Sequence, residues 1–497
     1  MTNSQNGTST QNSFPKLRQY QEDDANFLAS IPCSACFNEQ RTGKTPTALA
    51  VIKKRKLEDQ RILIITTASS LYQWKEEYER WLQKPCQICV GTPTKKKEAV
   101  DKWTNGIVVS LDSFKETQNR QGLVDIILSK NPQMVILDEA HKIKNHKSAN
   151  AKAMFKTRAV PYRLALTGTP AQGKPYDVYS ILRFLFPCDY GSYWRFIDDY
   201  FIIEDRTVYQ NGRPRTFKYY EKFKPGMARE LQRVLSQFST QRKRKDVMPW
   251  LPDKYYEKIR LSPTKEQKKY LKDLEETFRT GEIVTTGVLD RLVRYRQICL
   301  DPGLLGLKGK SPKTEWILQY LKDYPDEQVI IFSKFTSYLV RLAEQLDTTW
   351  AMLIGATTAN QRGKFIKDFQ AGKFKVFLIN IDAGKEALTL DAASTTIFTD
   401  KYPPIGSIEQ AEDRFIASTE SKAHKAHKII ELMMQDTFDE HLYDLLKQRK
   451  SETDIINNYN KYINERSKQH ERKSTVPVPG SHQRTVQSVD TYRRAVR

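Results

Sequence analysis

Eight short apolar runs constrain this chain more than any other feature: Ile62–Ile65, Ile107–Val109, Met134–Leu137 and Leu164–Leu166, then Val329–Phe332, Met352–Ile354, Val376–Ile379 and Thr396–Phe398. Each is continuously apolar rather than alternating, ends in small or polar residues, and is followed by a helix-like stretch. Strands of that kind are buried on both faces, which requires a parallel sheet covered by helices on each side. Two sets of four predict an α/β chain with two parallel-sheet lobes. Between them, over residues 188–312, longer charged and aromatic segments predict a helical or irregular insertion carrying a hairpin. A length of 497 residues requires such a division, because single cores stop growing near ~250–300 residues.

The expected order is a disordered Ser/Thr/Asn/Gln-rich start over 1–13, a first lobe over 14–187, the insertion over 188–312, a second lobe over 313–454 and a basic tail over 455–497. The whole chain carries a formal charge of +22, a field that gathers polyanions and makes nucleic acid the expected partner. It offers no apolar run of ~18 residues and no signal or lipidation pattern, so a soluble, cytoplasmic chain with no membrane partner is expected. Cys33/Cys36 and Cys86/Cys89 have metal-like spacing. Both pairs sit in strand-like runs whose successive side chains face opposite ways, so reduced core thiols are predicted rather than zinc ligands.

Two motifs carry chemistry. Asn38-Glu39-Gln40-Arg41-Thr42-Gly43-Lys44-Thr45 follows the run Cys33–Phe37 and precedes a helix-like Pro46–Lys53. Glycine lets backbone N–H groups close on phosphate oxygens at a helix N-terminus, Lys44 brings a point charge to the outer phosphates, and Thr45 ligates magnesium. Asn38 stands where the strict pattern has glycine, as the side chain that best tolerates left-handed geometry. Asp138-Glu139-Ala140-His141 directly follows Met134–Leu137. A sheet edge there would present carboxylates to ATP, Asp138 holding Mg²⁺ and Glu139 polarising the attacking water.

With Leu166-Thr167-Gly168-Thr169-Pro170, these motifs resemble those of superfamily-two DExH helicase-type motors, specifically the Swi/Snf-like branch of DNA translocases. The resemblance runs from Leu17 to Asp454 and implies two RecA-like lobes using ATP and Mg²⁺. It makes Gln21, in Leu17-Arg18-Gln19-Tyr20-Gln21, the adenine contact, with Thr42, Gly43, Lys44 and Thr45 as the phosphate loop. His141 and Thr167, Gly168 and Thr169 would couple the nucleotide site to movement. Ser69, Gln73 and Trp74 in the first lobe, and Ser333, Lys334, Gly384 and Thr389 in the second, would contact nucleic acid. Gln410-Ala411-Glu412-Asp413-Arg414 resembles the start of motif VI, so Gln410 would touch ATP and Arg414 would reach the γ-phosphate when the lobes close. Arg41, Lys385-Glu386-Ala387 and Ala417 depart from the family pattern in motifs I, V and VI.

Two stretches lie outside those motifs. Arg242-Lys243-Arg244-Lys245 stands where that branch carries a basic cluster, for which a structural or DNA-facing role is expected rather than a nuclear localisation signal. Thr207–Tyr220 has Asn211-Gly212 between β-rich runs, a strong hairpin signal, with Arg213 and Arg215 beside Phe217 and Tyr219. Basic and aromatic residues so interleaved suit phosphates and unpaired bases. The resemblance implies an ATP-dependent DNA translocase or helicase acting, as a monomer, on duplex, forked or branched DNA. An RNA helicase is the rival within the enzyme class; a scaffold that binds without hydrolysing is the rival outside it, and intact Lys44 and Glu139 argue against the latter.

Overall fold

The computed structural model describes residues 16–116, 122–171, 174–210, 213–220, 222–250, 254–383, 390, 392–402, 408, 412, 427–448 and 452–474. The expectation for residues 1–13 lies outside them.

The first lobe contributes β1 (Cys33–Cys36), β2 (Ile62–Thr66), β3 (Cys86–Ile88), β4 (Gly106–Ser110), β5 (Met134–Leu137) and β6 (Tyr162–Leu166). β7 (Glu204–Gln210) and β8 (Arg213–Tyr219) form a separate antiparallel hairpin, and β9 (Ser239–Thr240) returns beside β1. The resulting order β3-β4-β2-β5-β6-β1-β9 is parallel throughout. Helices α1 (Gln19–Ser30), α2 (Lys44–Lys54) and α3 (Leu71–Leu82) belong to this lobe. The continuous hydrophobicity of β2 has the expected cause: Leu63 and Ile65 enter one core, Ile62 and Ile64 the other.

The second sheet is built from β10 (Lys254–Leu261), β13 (Val329–Ser333), β14 (Trp350–Leu353), β15 (Val376–Asn380), β16 (Thr395–Phe398) and β17 (His427–Met434). Its order is β10-β17-β16-β13-β15-β14, again all parallel. A small hairpin, β11 (Arg279–Thr280) and β12 (Ile283–Val284), stands apart. All eight apolar runs became strands, and the α/β class with two parallel sheets is what the chain adopts.

The boundaries differ from those expected. Phe196, Ile197, Phe201, Leu231 and Phe238 of the insertion bury themselves in the first lobe's core. Leu271, Leu274, Leu292 and Tyr295 join the core of the second, whose edge strand is β10. The insertion is therefore shared between the lobes, and the chain passes from one sheet to the other between Thr240 and Lys254. The expected tail also begins as structure: helix Glu452–Ser474 buries Ile455, Tyr459 and Ile463, spaced by one turn, in the second core. Among the described residues no helix is long and apolar enough to cross a membrane.

Candidate active site

β1 ends at Cys36, and the chain turns through Phe37–Gly43 into α2, whose first residue is Lys44. Gly43 has φ +80°, and a Cβ there would stand 2.1 Å from Gln21 Nε2, so glycine is demanded by both backbone and neighbour. Gln21 is buried in the first turn of α1. Its Oε1 accepts the Arg18 N–H at 2.9 Å and its Nε2 donates to the Thr42 carbonyl at 3.1 Å, to which the Tyr20 hydroxyl also donates at 2.8 Å. The segment expected to read adenine is thereby fastened to the phosphate loop. Gly43→Ala is expected to cost at least about 1–2 kcal/mol from the left-handed backbone alone. A melting curve superimposable on that of the native chain would contradict this.

Lys44 Nζ donates to the carbonyls of Asn38 and Glu39, 3.1 Å from each. Arg41, at a position where the resembling family has glycine, adopts φ +63°, so the backbone keeps a glycine-like shape at an arginine's expense. Asn38 does not take up left-handed geometry as expected. Its value lies in its side chain, whose Nδ2 donates to buried Asp24 Oδ2 at 2.8 Å.

The second motif stands two strands away, at the end of β5. Asp138 Oδ2 accepts the Thr66 hydroxyl at 2.9 Å and the Trp74 indole N–H at 2.8 Å, while Oδ1 accepts the Glu139 N–H at 2.9 Å. Burial and then the neighbouring Glu139 charge push the Asp138 carboxyl above its ordinary pKa; the bonds from Trp74 and Thr66 and the Lys44 charge pull it back. Glu139 has φ +50°, a strained conformation for a non-glycine residue of the kind that gathers at active sites. His141 Nδ1 lies 3.2 Å from Thr167 Oγ1 and 3.3 Å from Glu139 Oε2. Thr167 Oγ1 in turn accepts the Thr169 N–H at 3.2 Å, and Gly168 packs so closely on the phosphate loop that a Cβ would sit 3.3 Å from Gln40. Adjacent strands β5, β6 and β1 thus bring three motifs far apart in sequence to one sheet edge.

The expected nucleic-acid contacts divide. Gln73 is exposed; Ser69 is partly buried and shares a hydrogen bond with Thr67 at 2.9 Å. Trp74 is instead 2% exposed, its N–H committed to Asp138, so it presents no surface to a strand. Ser333 is likewise buried, its hydroxyl donating to Asp400 Oδ1 at 2.6 Å, which removes it from that role. Lys334 is partly exposed and paired with Asp382. Gly384, Thr389, Gln410 and Arg414 lie outside the described residues, as does the Asn211-Gly212 turn. The hairpin itself forms, and its register puts Phe217 and Tyr219 on the same face as Arg206. The Arg206 guanidinium stands 3.3 Å from the Tyr219 ring centroid, and Phe217 and the neighbouring Trp194 are exposed.

Other residues around the site were not foreseen. Backbone bonds from Ala35, Phe37 and Glu39 to Phe238, Thr240 and Arg242, at 2.9, 2.8 and 3.0 Å, lay the interlobe chain along β1 and the phosphate loop. Arg242 grips Asp24 Oδ1 through Nε and Nη2 at 3.0 and 2.8 Å, and the Arg244 N–H donates to Glu39 Oε2 at 2.8 Å. The basic cluster therefore has a structural half, Arg242 and Arg244, and an exposed half, Lys243 and Lys245. In the second lobe, buried Glu412 accepts from Tyr256 Oη at 2.7 Å, Lys401 Nζ at 2.8 Å and Lys254 Nζ at 3.5 Å. An acid on the apolar side of α1, beside Ala25 and Leu28, was the signal available for Asp24.

Residues 20–304 match the SNF2-related domain and residues 312–416 the helicase conserved C-terminal domain. The human protein "DNA annealing helicase and endonuclease ZRANB3" is 24% identical over 454 residues, covering 88% of this chain and 40% of that protein. "Chromodomain-helicase-DNA-binding protein 1-like" of Danio rerio is 25% identical over 487 residues, covering 88% and 44%. The chain spans less than half the length of these relatives. Among solved structures, the "Sulfolobus solfataricus SWI2/SNF2 ATPase core in complex with dsDNA" is similar at a TM-score of 0.41 and 22% identity, over 93% of this chain and 97% of that one.

Proposed function

The chain belongs to the SNF2-related family of helicase-like ATPases, and from that premise we propose that it is an ATP-driven translocase acting on duplex, forked or branched DNA. The observation that carries the catalytic half is the joining of Lys44, Asp138, Glu139 and the His141–Thr167 pair at one sheet edge. Lys44 would leave its two backbone carbonyls for the outer phosphates, Gln21 would read the base, and Glu139 would orient the attacking water. The donor set fits magnesium: hard carboxylate and hydroxyl oxygens from Asp138 and Thr45, with one Oδ1 lone pair left by the hydrogen bonds described. When bound, the metal neutralises charge on the phosphates. His141 and Thr167 would pass the state of Glu139 to the Thr167–Thr169 segment, and Arg414 would complete the site from the second lobe.

DNA as the track is supported by the charge of +22 and by what the relatives are called. The test measures ATPase rate against single-stranded, duplex, forked and four-way DNA and against RNA. Stimulation by DNA with a duplex or branched preference is the expected result; stimulation by RNA alone would replace it with an RNA helicase.

The β7–β8 hairpin extends the proposal to strand opening. Its basic and aromatic face would hold phosphates and stack on unpaired bases, each stack worth about 1–3 kcal/mol. Replacing Val208–Phe217 with a short Gly/Ser turn is expected to abolish unwinding of forked DNA while DNA-stimulated ATPase persists. Equal retention of both activities would make the hairpin a packing strut.

A further inference from the structure

We infer that Trp74 is a positioning residue of the ATPase, whose indole N–H, together with the Thr66 hydroxyl, fixes the Asp138 carboxylate in the rotation that presents Oδ1 to magnesium. The inference rests on the reading of Asp138 as the metal-holding acid. Trp74 belongs to the buried stripe of α3, with Leu71, Tyr78 and Leu82. Packing alone accounts for a large apolar side chain in that row, but not for where its one polar atom goes.

The lone pairs of the carboxylate make the distinction. A carboxylate oxygen accepts at two lone-pair sites. Oδ2 receives two donors, Thr66 Oγ1 at 2.9 Å and Trp74 Nε1 at 2.8 Å, and is filled. Oδ1 receives the Glu139 N–H at 2.9 Å, which leaves it one position. The three donors come from three segments, the end of β2, α3 and the turn after β5, so the carboxylate plane is set from separate directions. Turning that plane to offer Oδ2 to a cation would strand a buried indole N–H, a donor with no other use. The bond is also charge-assisted, hence among the stronger kind. Hydrogen bonds that orient a metal's ligands typically change metal affinity by about 10–100-fold when removed.

The test is Trp74→Phe in the full chain, which keeps most of the apolar volume and deletes the donor. Binding of a fluorescent ADP analogue is titrated in EDTA and again across a magnesium series without nucleic acid, and ATPase is followed across the same series. The expected variant binds the analogue in EDTA as the native chain does. Its half-saturating magnesium rises about 10–100-fold in both assays, and ATPase recovers at high magnesium. Half-saturating magnesium within twofold of native would overturn the inference and leave Trp74 as packing. Should Trp74→Phe melt too early to assay, Thr66→Val removes the other Oδ2 donor at nearly constant shape and is held to the same criterion. Asp138→Asn separates this failure from that of the underlying reading. If it leaves the magnesium dependence intact, Asp138 is not the metal-holding acid; if it abolishes the dependence while Trp74→Phe is silent, only the inference falls.

Discussion

Replacing Glu139 by glutamine is expected to lower ATP turnover by about 10²–10⁴-fold while ATP binding stays close to native, the usual loss when general-base or water-orienting help is removed. The structure explains why the two effects separate. Glu139 lies outside the Asn38–Thr45 segment and the hydrogen bonds described for Gln21 run to Arg18 and Thr42, and glutamine preserves the shape that the left-handed backbone at φ +50° already accommodates. The contact of its Oε2 with His141 Nδ1 at 3.3 Å survives in geometry with a neutral partner. Lys44→Ala should differ in kind, with turnover abolished because the ammonium has no substitute. Single-turnover hydrolysis alongside equilibrium nucleotide binding distinguishes the two variants, and near-native turnover in either would dismantle the site.

Arg414→Ala is expected to cost about 10³–10⁵-fold in DNA-stimulated hydrolysis, the scale of an arginine that meets the transition state from across a cleft. The motif keeps this arginine but has Ala417 where the family has a second, so little redundancy is expected. Two residues earlier, Glu412 is held in the second lobe by Lys401, Tyr256 and Lys254. A loss below tenfold would mean that another residue holds the role.

The sheet skeleton was legible because strands buried on both faces leave a local signature, and all eight such runs proved to be strands. β17 escaped because His427, Lys428 and Glu431 interrupt its apolar residues. Glu431 is tolerable there only because Lys401 meets it at 2.7 Å from a segment 30 residues away, a pairing that no local pattern reveals. β10 escaped for the opposite reason. As an edge strand with Tyr255 and Tyr256 exposed, it reads as a solvated charged segment. The clustering of Lys44, Asp138 and Glu139 was legible from motif and position, whereas the burial of Trp74 was not, because its neighbour Gln73 does face solvent. One step along a helix turns a side chain by about 100°, enough to pass from surface to core.

Force made between two lobes must cross the polypeptide that joins them, and the stiffness of that path decides how much of a stroke arrives. Here the path is clamped at its origin, where Arg242 holds Asp24 and Arg244 meets Glu39, and clamped again at its destination, where Lys254 and Tyr256 hold Glu412. Both grips fall beside the sequence motifs already described, on Asp24 and Glu39 at the Asn38–Thr45 loop and on Glu412 in the second lobe. In an ATP-driven translocase of the kind proposed, such a joint would serve as a short drive shaft keyed at each end, passing displacement of one lobe to the other with little lost to slack.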